Sequence, residues 1–128
     1  MSLPPEALGP ARPIFERLAE AYGYDPQVAE AAPKRAAGIL RLLSAQLEAQ
    51  NDRGSAFFIG DQLSALDIYW AAFAALLRPL PEALCPMNEM MRQTYTVTDA
   101  ALLDAASPLL LEHRQRIYEA HMELPIQL

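Results

Sequence analysis

The sequence predicts one all-α domain, a bundle of four to six helices. Three observations carry that expectation. Apolar residues recur at three- and four-residue spacing, and no segment alternates as a half-buried strand would. The eleven prolines fall where helices would start or stop. The chain has 128 residues, 52% of them apolar, which suffices for one core and is too short for two.

The first helix is marked by Ile14, Phe15, Leu18 and Tyr22, which make one apolar stripe. Pro13 suits its first turn, and Gly23 suits the left-handed residue that closes it. Asp25-Pro26 restarts the chain as an N-cap followed by a proline whose missing N–H costs nothing there. Pro33 then either kinks the second helical stretch or begins a new helix, and the expectation is a short turn over 26–31 leading into a long helix over about 33–51. Ala36, Ile39, Leu40, Leu43 and Leu47 share one face of the long helix, with Lys34, Arg41, Glu48 and Gln50 off it. Asn51-Asp52-Arg53-Gly54 ends it.

Ser55 to Asp61 has β-like propensity but no partner strand, so it is expected as an extended loop that plugs the core. The next helix, from Ser64 to Leu77, is apolar on every side, as a helix in the middle of a bundle is. Ala71, Ala72, Ala74 and Ala75 would let neighbours approach it closely. Pro79 and Pro81 stop it. A helix over about 86–94, a short one from Thr98 to about Ala105 and a last one from Ser107-Pro108 to about Met122 complete the chain.

Net charge is −6, which weighs against nucleic-acid and anionic-membrane partners. The single cysteine, Cys85, excludes an internal disulfide and a CxxC site. The longest apolar run, Ile68 to Leu77, is too short to span a bilayer. Met1 to Pro5 lacks the basic and apolar regions of a signal peptide, so a cytoplasmic location is expected.

The densest local signal is Gly60-Asp61-Gln62-Leu63-Ser64-Ala65-Leu66-Asp67-Ile68. It predicts a complete helix start. Ser64 caps the N–H of Asp67, and the Asp67 carboxylate reaches back to the N–H of Ser64 at the positive end of the helix dipole. Leu63 and Ile68 form the hydrophobic staple. A buried helix start needs such devices because no water reaches its orphan N–H groups.

The string FFIGDQLSALDIYWA, Phe57 to Ala71, resembles the signature of the C-terminal all-helical domain of soluble glutathione S-transferases. In that family an aromatic pair, Gly-Asp and Ser/Thr-x-x-Asp open the central buried helix. Gly60 matches the turn glycine, Ser64 the capping residue and Asp67 the buried capping acid. The preceding long helix and the ending HRQRIYEAHMELPIQL fit the same pattern, and the resemblance covers about residues 26–128.

The resemblance implies a transferase bundle whose central helix starts at Ser64, supplying the hydrophobic wall of a substrate site and part of a dimer contact. Glutathione, the co-substrate, would be bound and activated by a thioredoxin-like domain. These 128 residues show no such βαβ pattern, so the chain reads as the C-terminal half of such a protein. No catalytic residue and no cofactor of its own are carried over to it.

Tyr69, Trp70 and Phe73 are the candidates for lining an apolar small-molecule pocket, with core packing as the competing role. Met87, Met90 and Met91 are candidates for its rim. Cys85 is expected as a free, buried, apolar residue, since no cation adjoins it in sequence to activate its thiol. His113 and His121 lie eight residues apart, too far for one metal ion, and are expected on the helix surface. Glu112, Arg114, Arg116 and Glu119 are expected as a solvated face with a Glu112–Arg116 pair. Two further readings stand beside the enzyme part. One is a non-catalytic docking module, as similar domains are in elongation-factor gamma subunits and aminoacyl-tRNA synthetase assemblies. The other is an unrelated acidic bundle.

Overall fold

A computed structural model describes residues 12–126. The N-terminal stretch read for a signal peptide lies outside them. The described chain forms six helices: α1 (Arg12–Ala21), α2 (Pro26–Asp52), α3 (Ala65–Phe73), α4 (Glu89–Tyr95), α5 (Ala100–Ala105) and α6 (Pro108–His121). A 3₁₀ turn, Ala74–Leu76, extends α3. No strand occurs among the described residues.

The punctuation acts largely as its chemistry dictates. Gly23, Gly54 and Gly60 hold positive φ, and Gly60 at +61° turns the chain into the start of α3. Asp25 accepts the N–H groups of Gln27 and Val28, with Pro26 behind it at the start of α2. Asn88, Asp99 and Ser107 cap α4, α5 and α6 in the same way. Thr98 therefore lies before the cap of α5.

Pro33 does not break the chain into two helices. α2 runs through it as one helix. The proline forfeits the bond to the Ala29 carbonyl, at a cost of about 3 kcal/mol, but its neighbours Lys34 and Arg35 are exposed and no packed contact is lost there.

α2 packs on α5 and α6, and α3 packs on α6. α3 separates two apolar clusters. On one side Trp70 and Ala74 join Ala37, Leu40, Leu47, Phe58, Ala105 and Leu110. On the other, Ala71 joins Leu80, Cys85, Ile117 and Tyr118, with Ile68 beside them. Polar ties fix the docking: Ser44 Oγ donates to Ser107 Oγ at 2.9 Å, and Trp70 Nε1 donates to the Leu110 carbonyl at 2.9 Å.

α3 is central but not covered on every side. Tyr69, Phe73 and Leu76 are exposed along a third face. α1 likewise has no buried residue and leaves its stripe of Ile14, Phe15, Leu18 and Tyr22 in solvent. On α2 the buried face is Ala37, Leu40, Ser44, Leu47 and Gln50, so Ile39 is exposed and Gln50 is inside. The 55–61 loop does plug the core, through Phe58 at 0% exposure, while Ile59 points out. Cys85 is free and buried.

Candidate functional site

Two features converge on α3: a buried polar centre at its start and an apolar cleft along its open face. The polar centre is built on Asp67, whose side chain is fully buried. Ser64 and Asp67 form the reciprocal capping pair. Oδ2 accepts the Ser64 N–H at 2.8 Å and the Ser64 hydroxyl at 2.6 Å. Oδ1 accepts the Phe58 N–H at 3.0 Å and bonds His113 Nε2 at 2.8 Å. Of the staple pair, Ile68 packs into a core cluster and Leu63 stays exposed.

His113 is thus not a surface residue. It is 0% exposed, with the Phe58 ring edge-on at 4.7 Å between centroids. Its Nδ1 lies 2.8 Å from Arg116 Nη2. A guanidinium only donates, so Nδ1 accepts and the ring proton sits on Nε2, donated to Asp67. The histidine is neutral. Arg116 also donates to the Ala56 carbonyl at 3.1 Å, which takes it away from the expected pairing with Glu112.

Burial alone would raise the Asp67 carboxyl; the hydrogen bonds from Ser64, Phe58 and His113 outweigh it and hold Asp67 below the usual carboxylate value. Burial pushes His113 down, Asp67 opposes this, and Arg116 pushes it further down; the net direction is below the usual imidazole value. Both groups bind a proton more readily when unfolded. Stability is therefore fully present above an unfolded histidine value of about 6.5 and declines as pH falls below it, with Asp67 adding a second loss at more acid pH. A urea midpoint that drops between about pH 7.5 and about pH 5.5 is expected, with a shallower drop in His113→Gln. Equal slopes for the two proteins would contradict this assignment.

Arg114 is also buried, not solvated. It donates to the Arg78 carbonyl just beyond the 3₁₀ turn, and its Nε has no partner among the described residues. Burial lowers its pKa, Tyr118 opposes this, and Arg78 adds to the lowering. A cation placed past the end of α3 meets the negative pole of that helix.

The cleft lies between α2 and α3. It encloses about 320 Å³ and is lined by Ile39, Leu43, Leu66, Tyr69, Trp70 and Phe73 among others. The three residues singled out as a pocket wall therefore share one apolar surface. They divide the work: Trp70 is buried and also holds α6, whereas Tyr69 and Phe73 are open to solvent. A larger hollow of about 550 Å³ follows α2 alone from Asp25 to Ile39 and is walled by one helix and the turn before it.

Other candidates lie elsewhere. Met90 is exposed on α4, and Met87 packs near Cys85. His121 sits beside the Phe57 ring, with centroids 6.3 Å apart. The residues that sequence reasoning missed are His113, Arg116, Gln46 and Gln50. The two glutamine amides grip the loop, Gln46 on the Phe58 carbonyl at 2.7 Å and Gln50 on the Phe57 and Gly60 carbonyls at 3.1 and 2.9 Å. No helix is long and apolar enough to cross a membrane among the described residues.

Comparison of this chain with protein-family models, curated proteins and solved structures gives no match.

Proposed function

We propose that this chain is the C-terminal helical domain of a glutathione S-transferase-like protein and supplies the apolar wall of its electrophile site. The supporting observation is the cleft in which Tyr69, Trp70 and Phe73 meet α2. Its lining is almost wholly apolar, and such a surface recognises a hydrophobic, preferably aromatic, small molecule. The Phe57-to-Ala71 signature supports the family reading, with Asp67 in the capping role that the resemblance assigns it. Glutathione would come from a thioredoxin-like domain, and no residue here is assigned to its thiol.

The purified 128-residue chain should conjugate an aryl halide to glutathione no faster than the uncatalysed reaction. It should nonetheless bind a fluorescent apolar dye in the cleft. Phe73→Ala and Tyr69→Ala, both at exposed positions, should weaken dye binding by about tenfold together, roughly 1.4 kcal/mol. Unchanged dye binding in the double variant would remove the cleft from the proposal. Turnover by the chain alone would remove the division of labour.

A second reading, a non-catalytic docking module of the same fold, is favoured by one observation. The stripe of α1 is apolar and lies in solvent. A partner protein or a second copy of the chain would bury it.

A further inference from the structure

We propose that Asp67, His113 and Arg116 form a proton-operated latch on the 55–60 loop. Protonation of His113 at Nδ1 expels Arg116 and frees the Ala56 carbonyl from α6. The proposal is independent of the transferase reading.

The geometry dictates where a proton can go. Nε2 already carries one, directed at Asp67 Oδ1. The remaining ring lone pair is on Nδ1, and Arg116 Nη2 occupies it at 2.8 Å. Once Nδ1 is protonated, two donors and two cations face each other, and the hydrogen bond becomes a repulsion. His113 cannot retreat, because it is fully buried and held between Asp67 and the Phe58 ring. Arg116 can, because it is exposed. As it leaves, it releases the Ala56 carbonyl from α6.

The charged groups acting on His113 are Asp67 from α3 and Arg116 from its own helix. Glu112, its neighbour on α6, is exposed. The loop presents the neutral Phe58 ring, and α2 holds that loop through the neutral amides of Gln46 and Gln50. The protonated His113 keeps an ion pair with Asp67, so the helix start survives while the loop loses its hydrogen bond to α6.

Amide exchange reads this directly, as protection factors corrected for the intrinsic pH dependence of exchange. Between about pH 8 and about pH 5, protection at Phe57 and Phe58 should fall by about tenfold or more beyond the loss at Ile117 and Tyr118, whose protection follows the global stability. Arg116→Met removes the clasp at an exposed position. Its loop should be poorly protected at both pH values, with a ratio near one. The ring nitrogen shifts of His113 should report an Nε2–H tautomer at high pH and an imidazolium at low pH. Any of three results would overturn the latch: unchanged loop protection in the wild type, an Arg116→Met response equal to the wild type, or loss of α6 protection in step with the loop.

Discussion

Asp67→Ala should destabilise the domain by about 3–5 kcal/mol, the cost of removing one partner of a buried, hydrogen-bonded pair. The change strips acceptors from the N–H groups of Phe58 and Ser64, the Ser64 hydroxyl and the His113 Nε2–H, at a site with no exposure. A typical domain has about 5–15 kcal/mol in all, so the variant is at the edge of folding. Asp67→Asn keeps one acceptor oxygen and should fall between the two. Ser64→Ala should cost about 0.5–2 kcal/mol. The Ser64/Asp67 double variant should cost less than the sum, because both dismantle one arrangement. Urea denaturation decides it: an Asp67→Ala midpoint equal to the wild type would refute the structural role.

Phe58→Ala should cost a comparable amount, about 3–5 kcal/mol, through the cavity it leaves. The ring is fully buried in the cluster formed by α2, α3, α5 and α6, and it also packs edge-on against His113. Ile59→Ala, one residue on and 58% exposed, should change stability by less than about 0.5 kcal/mol. That contrast between adjacent apolar residues tests the loop's orientation, and its denaturation midpoints need no ligand or partner. Equal losses at the two positions would show that the loop does not insert Phe58.

How much of the molecule is legible in its sequence depends on sequence distance. The Ser64–Asp67 pair spans three residues, so helical geometry alone brings its groups together. The caps at Asp25 and Ser107 and the turns at Gly23, Gly54 and Gly60 are local in the same sense. His113 meets Asp67 across 46 residues, and nothing near His113 announces it. A histidine between a glutamate and two arginines carries the pattern of a solvated face. Gln50 misleads for the opposite reason. It is polar, yet its amide is consumed by loop carbonyls that a hydrophobic stripe does not reveal. The composition of α3 overstates its burial, because an apolar helix shows what it could bury and not how many neighbours arrive. The cleft residues are therefore identifiable as apolar and aromatic, but their division into buried Trp70 and open Tyr69 and Phe73 is not.

Pro33 has a consequence for how the molecule comes apart. The bond it omits interrupts the ladder of α2 ahead of its first buried residue, Ala37. Every buried residue of the helix lies beyond that gap, and α1 on the other side contributes none. The segment from Arg12 to about Pro33 therefore shares almost no interior with the rest. In thermodynamic terms the described chain contains a cooperative body beginning near Ala37 and, joined to it, a helical arm whose opening free energy is its own. Substitutions along the arm act on that small local equilibrium, and the global unfolding free energy belongs to the body alone.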